Sequence, residues 1–389
     1  MLELLALLLP IAALSGWCAA MRHIRRQHES VVVRPDVSSL FGKGMNYLLN
    51  EQPDKAVDCL VGISEHLGDS AESQLALGNL FRRAGEVEQA ISLHRRLVTL
   101  SSLSKEQHKQ AMYELGIDFM RAGLFDRAET IFEELKYDIG YGEPSTQQLL
   151  QIYQHEKDWI KAIECARILT KSDKILRGES VSQFLCEMAE AALQSNDLVT
   201  AMTHLENALE EDSSCVRASL LSAQIYIMQG GYRCAVSILQ CVANHNPSFI
   251  PEIIDPLMDC YSHLDCIAEQ IDCLRKIQQQ HPLDRINSIL AQLIQKSEGA
   301  SVAEQFMWKE MEKLPSLVGF DRLLALLIDQ PEKNINNILK ELKQLSARLT
   351  IETNTHRCSH CGFSGQQLHW RCPGCHHWES IKPYSAIGN

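Results

Sequence analysis

Small residues recur at regular intervals within the hydrophobic pattern of this chain. An alanine returns at steps of 34, 38, 34, 39 and 34 residues, at Ala56, Ala90, Ala128, Ala162, Ala201 and Ala235. Twelve residues before each alanine stands a residue that is small in most cases: Gly44, Gly78, Gly116, Leu150, Ala189 and Ala223. Because antiparallel helices approach closely only where side chains are small, the pattern predicts helical pairs that stack on one another through their apolar faces.

Larger side chains complete each predicted pair. An aromatic residue follows the first-helix position by three in most repeats, at Tyr47, Phe81, Phe119, Tyr153 and Tyr226, whereas Ala192 breaks this rule. A packing residue follows the alanine by four, at Leu60, Phe132, Leu205 and Leu239, with His94 and Ala166 as weaker members. Turns are predicted at Ala84–Glu86, Ala122–Leu124 and Gly230–Gly231.

The repeat length resembles that of the tetratricopeptide repeat, whose period is about 34 residues. Pro247, Pro282 and Pro315 recur at steps of 35 and 33 residues, where such a repeat closes its second helix. Residues 321–349 are interpreted as a last helical pair or cap. The pattern therefore predicts an all-α tetratricopeptide-repeat superhelix of eight to nine helical pairs, with an unrelated helical bundle as the alternative.

An apolar run from Leu4 to Met21 precedes the repeats. A helix of about 20 residues spans the roughly 30 Å of a bilayer's hydrocarbon core. Arg22, Arg25 and Arg26 follow the run, whereas only Glu3 precedes it, and positive charge stays on the cytoplasmic side. We therefore predict a single transmembrane helix with the N-terminus outside and the body in the cytoplasm. A buried core helix or a cleaved signal is the alternative.

Composition narrows the functional class. The formal net charge of -12 gives no basic surface for phosphates, so general nucleic-acid binding is disfavoured. Ten of the 14 cysteines are scattered singly, which suits a reducing compartment where cysteine packs as a small hydrophobic residue. The phosphate loop, the zinc helix His-Glu-x-x-His and the serine elbow Gly-x-Ser-x-Gly have no match. We therefore expect no catalytic and no organic-cofactor residues, and interpret His94 as a packed residue.

The remaining four cysteines form two Cys-x-x-Cys motifs near the C-terminus, separated by ten residues. Two such turns that face each other supply four thiolates for one metal ion. A thioredoxin-type redox pair is the competing interpretation, but it requires a single motif at a helix start in an α/β domain. The sequence therefore predicts four metal ligands: Cys358, Cys361, Cys372 and Cys375.

Such a site accepts zinc or a single iron ion. The motifs resemble rubredoxin knuckles, which implies one iron with zinc as the alternative, although His376 replaces the usual glycine and the gap between the motifs is short. So small a segment buries little surface, so the metal should supply most of its folding energy. Its core is expected to consist of Phe363, Trp370, Trp378 and Tyr384. Its histidines are expected at the surface or behind the ligands: His360, His369, His376 and His377.

The expected organisation has four segments. They are a transmembrane anchor (1–21), a cytoplasmic linker (22–37), the repeat array (38–349) and a rubredoxin-like or zinc-ribbon metal-binding domain (350–389). Because an isolated domain of about 35 residues is poorly stable, we expect the metal-binding domain to pack against the repeats.

The combination of anchor, repeats and four-cysteine domain resembles the lipopolysaccharide assembly protein B family of Gram-negative bacteria. The stretches that support it are Met1–Leu5, Leu7–Pro10, Leu77–Arg82, Leu149–Gln154 and Ile381–Pro383. The resemblance covers essentially the full chain.

The resemblance implies a non-enzymatic protein of the cell inner membrane, with a periplasmic N-terminus and a cytoplasmic body. It implies that the protein helps the membrane AAA+ metalloprotease FtsH to degrade the deacetylase (LpxC) that commits precursors to lipid A. It further implies contact with an inner-membrane antagonist that senses lipopolysaccharide, and with other lipopolysaccharide synthesis and transport proteins. A homodimer is a further option. Two other interpretations stay open: a membrane-tethered rubredoxin-like electron carrier, and a generic assembly scaffold unrelated to proteolysis.

Overall fold

A computed structural model describes residues 71–169, 174–313, 316–328, 342–344 and 356–383, with isolated positions between 17 and 59. Apart from Trp17, the predicted anchor lies outside these residues, as do the predicted linker and Pro315. Within the described ranges, no helix combines the length and apolar character needed to cross a membrane.

The chain divides into two compact units, residues 1–158 and 159–389. The described helices of the first unit are α1 (Ala71–Ala84), α2 (Val87–Val98), α3 (Lys105–Arg121), α4 (Phe125–Leu135) and α5 (Gly142–Glu156). Each packs against the next, and α1 also packs against α3. This is the stacking of helical pairs that the periodic small residues predicted.

The second unit contains ten described helices and a small sheet. The helices are α6 (Trp159–Leu169), α7 (Lys174–Gln194), α8 (Leu198–Glu211), α9 (Val216–Met228), α10 (Tyr232–His245), α11 (Ile250–Leu264), α12 (Ile267–Gln280), α13 (Asp284–Glu298), α14 (Ala300–Lys313) and α15 (Leu317–Ile328). Consecutive helices pack together, and α7 also contacts α9 as α13 contacts α15. The predicted all-α repeat fold is therefore confirmed.

The recurring alanines are buried in the packing of the helices. Five of them are completely buried: Ala90, Ala128, Ala162, Ala201 and Ala235. The first-helix glycines leave space for a large partner. A Cβ added at Gly78 would lie 2.3 Å from the ring of His94, and one at Gly116 would lie 2.7 Å from the ring of Phe132. The small residues are thus required by packing.

A residue in the left-handed conformation follows the first helix of each described pair. These residues are Gly85, Gly123, Lys157, Asn196, Gly230, Asp265 and Gly299. Glycine accepts a positive φ without strain, and the three other side chains take it at a steric cost. Pro247 opens a 3₁₀ turn after α10, and Pro282 lies between α12 and α13, as predicted.

His94 occupies a packing position that carries phenylalanine or leucine in other repeats. Its side chain is completely buried, and Nδ1 donates to Oδ2 of the equally buried Asp118 at 2.5 Å. Arg82 approaches Oδ1 of Asp118 at 2.7 Å and Oε2 of Glu114 at 2.5 Å. A closed polar network therefore takes the place of an apolar contact, and the interpretation of His94 as a packed residue is confirmed.

Three short strands form the C-terminal part of the second unit. They are β1 (His356–Cys358), β2 (Ser364–Gly365) and β3 (Ile381–Pro383), and the strand order is β2-β1-β3 with both pairs antiparallel. We call residues 356–383 the metal tab. The predicted small C-terminal ribbon is therefore present beside the helical repeats.

Candidate metal centre

Each Cys-x-x-Cys motif of the metal tab folds into a tight turn. In the first, the N–H of Gly362 donates to the carbonyl oxygen of Cys358 at 3.1 Å, and the N–H of Cys361 points to the Cys358 sulfur at 3.5 Å. In the second, the N–H of His376 donates to the carbonyl oxygen of Cys372 at 2.9 Å. Gly362 (φ 77°) and His376 (φ 59°) are both left-handed, so the histidine adopts the knuckle conformation despite its side chain.

The two turns bring all four predicted ligands together. Their sulfur atoms lie within 4.8 Å of one another, with Cys358 to Cys375 at 3.7 Å and Cys361 to Cys372 at 3.6 Å. A tetrahedral ion with metal–sulfur bonds of about 2.3 Å requires sulfur–sulfur edges of about 3.8 Å. The spacing fits a four-cysteine metal-binding site.

The electrostatics of the cluster also favour a cation. The hydrogen bond between the Cys358 sulfur and the Ser380 side chain, together with backbone N–H groups, lowers the pKa of Cys358 to about 5, against the cost of desolvation. The backbone N–H of Phe363 lowers the pKa of Cys361, but desolvation and the three neighbouring sulfurs outweigh it and raise that pKa to about 12. Four thiolates at these distances therefore repel each other unless a positive ion lies between them.

The four cysteine residues are unequally exposed. Cys358 and Cys372 are buried at 2% and 0% exposure, whereas Cys375 is half-buried and Cys361 is exposed. One edge of the site therefore faces solvent. The four histidines expected at the surface, His360, His369, His376 and His377, are all exposed.

The core of the tab differs from the prediction. Cys358, Cys372 and Ile381 form its buried centre, with Phe363 and Leu368 packed against them. The expectation that Trp370 and Trp378 would fill this core was wrong, because both rings face the repeat helices. Tyr384 lies outside the described residues.

The two tryptophans fasten the tab to the repeats. Trp378 meets the ring of Phe184 on α7 edge-on, with centroids 6.0 Å apart, and lies 5.8 Å from the guanidinium of Arg217 on α9. Trp370 stacks on Phe249 at 6.0 Å. Aromatic pairs of this kind add about 0.5–1.5 kcal/mol beyond area burial.

Polar contacts fix the orientation of the tab. Gln183 on α7 donates to Oε1 of Glu379 at 2.7 Å, and Nε2 of His356 donates to Oε1 of Glu252 on α11 at 2.9 Å. The predicted packing of the metal-binding domain against the repeats is therefore confirmed. Sequence reasoning missed the partners themselves. Arg217 gave the one usable hint, since it is the only charged residue of α9 and is nevertheless 2% exposed.

Comparison with known families separates the same two parts of the chain. Residues 356–383 match the model of the rubredoxin metal binding domain, and residues 75–140 match that of the tetratricopeptide repeat. Among solved structures, the chain resembles that of Naa15/Naa10 bound to HypK-THB at 14% identity and a TM-score of 0.41, over 82% of this chain and 52% of the other. That likeness is too distant to carry an argument.

Two curated relatives align over nearly their whole length. Lipopolysaccharide assembly protein B of Escherichia coli strain K12 is 34% identical over 388 residues, covering 100% of this chain and 99% of the relative. The protein of the same name from Haemophilus influenzae is 35% identical over 395 residues, covering 99% of both. On identity and coverage of this extent, the chain belongs to the lipopolysaccharide assembly protein B family.

Proposed function

We propose that this protein is a non-enzymatic adaptor of the inner membrane that restrains lipopolysaccharide synthesis. In this role it brings the lipid A deacetylase to an FtsH-type membrane protease, and it meets a lipopolysaccharide-sensing antagonist and other synthesis and transport proteins. The names of the relatives support the link to lipopolysaccharide. Stacked helical repeats offer a long docking surface for proteins, which suits an adaptor.

The observation that carries the proposal is the attachment of the metal tab to α7, α9 and α11. Aromatic and hydrogen-bonded contacts join the tab to the repeats on several sides, through Trp378, Trp370, Glu379 and His356. An adaptor needs such a composite surface with a fixed geometry, because a partner that touches both parts then loses less conformational freedom on binding.

A tether would make weak contacts effective. The apolar run Leu4–Met21 is the proposed anchor, which would place the adaptor, the protease and the substrate at one membrane surface. Confinement raises their effective concentration without any new contact. A reporter fused to the C-terminus tests the topology: we expect activity from a cytoplasmic reporter, and activity only from a periplasmic reporter would refute it.

The proposed metal is one iron ion, held by Cys358, Cys361, Cys372 and Cys375, with zinc as the alternative. The ion would cross-link the two knuckles and so stabilise the face that meets the repeats. The exposed position of Cys361 favours a second candidate, a rubredoxin-like electron carrier. Elemental analysis identifies the metal. A visible iron spectrum that bleaches reversibly at a physiological potential would favour the carrier, whereas full adaptor activity with zinc would exclude it.

The test of the adaptor role compares deacetylase half-lives in cells. Removal of the protein should lengthen the half-life, and the full chain should restore it. A chain with Trp378→Ala and Glu379→Ala should restore it only in part, because the tab loses contacts to α7 and α9 while the four ligands stay in place. His369→Ala changes an exposed tab residue and is the matched control. An unchanged half-life without the protein would refute the role in proteolysis and leave the generic scaffold.

A further inference from the structure

A cavity of about 510 Å³ lies between α12 and α14, the second helices of two successive repeat pairs, and α13 forms its floor. Arg275 of α12 and Lys313 of α14 line it with positive charge. The buried Leu290 and the half-buried Phe306 add an apolar surface. A cavity of this size, with a few polar groups in a partly apolar lining, is typical of a binding site.

The floor of this cavity carries a polar side chain without a partner. Asn287 of α13 lines the cavity and is only 4% exposed. Its Oδ1 is shielded from solvent and accepts no hydrogen bond within the part of the chain that the structure describes. Burial of an amide in this state lowers stability relative to an apolar side chain of the same size. A ligand that hydrogen-bonds to the amide would remove this cost.

The repeat fold itself does not require an amide at this place. One repeat earlier, the first turns of α11 bury Ile253 and Ile254 completely. The neighbouring cavity between α10 and α12 is also lined by an amide, Gln240, but Nε2 of that side chain donates to the hydroxyl oxygen of Tyr261 at 3.0 Å. We therefore attribute the unpartnered amide of Asn287 to a ligand and not to packing.

The charges around the cavity indicate the chemistry of that ligand. Nζ of Lys313 donates to Oε1 of Glu310 at 2.6 Å, so these two charges largely neutralise each other. Arg275 is exposed and forms no ion pair with the described residues, which makes it a local positive group on a chain of formal net charge -12. A guanidinium binds a carboxylate through two parallel hydrogen bonds. An asparagine amide both donates and accepts, as a main-chain peptide group does.

We propose that the cavity between α12 and α14 binds an extended segment of a partner protein that carries an acidic side chain beside an apolar one. Arg275 pairs with the carboxylate, and the Asn287 amide hydrogen-bonds to the main chain of the segment. Phe306 and Leu290 contact the apolar side chain. The inference rests on the proposed adaptor role, for which it names one docking surface and the chemistry of the segment that this surface accepts.

The experiment uses the full chain in detergent and short peptides as probes. Random peptides displayed on phage are selected on the wild-type chain and depleted on Arg275→Glu, and we expect the retained peptides to share an acidic residue beside an apolar one. Fluorescence anisotropy of one labelled peptide then gives its affinity. Arg275→Glu should weaken binding at least tenfold, and so should replacement of the acidic residue of the peptide by its amide. Lys309→Glu makes a charge reversal at an exposed residue of α14 outside the cavity lining and should leave binding unchanged.

Asn287→Leu separates binding from folding. Leucine is similar in size and has no polar atom to satisfy, so this variant should slow amide exchange in α13 and yet bind the peptide at least tenfold more weakly. Full affinity in Asn287→Leu, faster exchange in α13, or a selection that retains no peptide or only peptides without an acidic residue would each overturn the inference. A deacetylase half-life that does not change without the protein would instead refute the adaptor role, while binding of the peptide would stand.

Discussion

Gly116 in α3 offers a quantitative test of the repeat packing. A Cβ at this position would lie 2.7 Å from Cε1 and Cζ of Phe132, well inside the 3.4 Å at which ordinary contact begins. The Phe132 ring has no free space, since it is completely buried and packs edge-on against Tyr113 at 5.7 Å. Gly116→Ala gains about 1 kcal/mol of helix propensity. Overpacking a core lowers the free energy of unfolding by about 1–3 kcal/mol, and we take the upper end because the Phe132 ring is enclosed. The expected net loss of stability is therefore about 2 kcal/mol.

Native-state hydrogen exchange measures this loss locally, which matters because repeat arrays do not always unfold in one step. Amides of α3 and α4 should exchange roughly 30-fold faster in Gly116→Ala, the equivalent of about 2 kcal/mol. Adding Phe132→Leu should slow the exchange again, because the smaller side chain removes the clash and the two changes are coupled. Normal exchange in Gly116→Ala, or a double variant that exchanges faster than the single one, would refute the packing argument.

Three further predictions concern the metal tab and α8. Removal of the metal with a chelator should increase exchange throughout residues 356–383 while the helical circular dichroism signal is retained; unchanged protection of the tab would contradict the metal-dependent fold. Trp378→Ala should cost about 1 kcal/mol from the ring pair with Phe184 alone, and so speed exchange in β1 about fivefold, whereas His369→Ala should not. The side-chain and backbone hydrogen bonds of Thr200 lower the pKa of Asp197, the N-cap of α8. Its carboxylate therefore stabilises the fold above its ordinary pKa of roughly 4, and the effect is lost as the pH falls through the lowered value. Asp197→Asn should keep the cap and remove this acid dependence, as denaturation curves between neutral and acidic pH would show.

The repeats could be predicted because each pair depends on local spacing. The regular alanine steps and the glycines at Gly78 and Gly116 are required because the helices approach closely there. The packing therefore leaves a periodic pattern that is visible in the sequence. The four metal ligands could be predicted equally well, since the turn geometry of Cys-x-x-Cys depends only on neighbouring residues. Lys157, Asn196 and Asp265 were not predicted as turn residues. Asparagine and aspartate are enriched at positive φ, but a single one in a helical pattern is a weaker turn signal than glycine, and lysine gives no such signal.

The attachment of the tab could be expected in general but not in detail. Packing against the repeats followed from the small size of the domain. The partners of Trp378 and Glu379 lie on α7 and α9, and no local spacing connects them. An aromatic residue in a small domain is also ambiguous, since it can fill its own core or that of a neighbour. For this reason the prediction that Trp370 and Trp378 fill the core of the tab was wrong.

The metal tab lies far along the chain from the helices against which it packs, and this separation has a consequence for synthesis. Gln183 and Glu379 are 196 residues apart, and His356 and Glu252 are 104 apart. The ribosome therefore releases α7 long before the residues of the tab that cover it exist, and Phe184 lacks its contact with Trp378 throughout that interval. In a truncated polypeptide this apolar surface would stay exposed. Chaperones and proteases could therefore distinguish a truncated chain from a complete one by that surface.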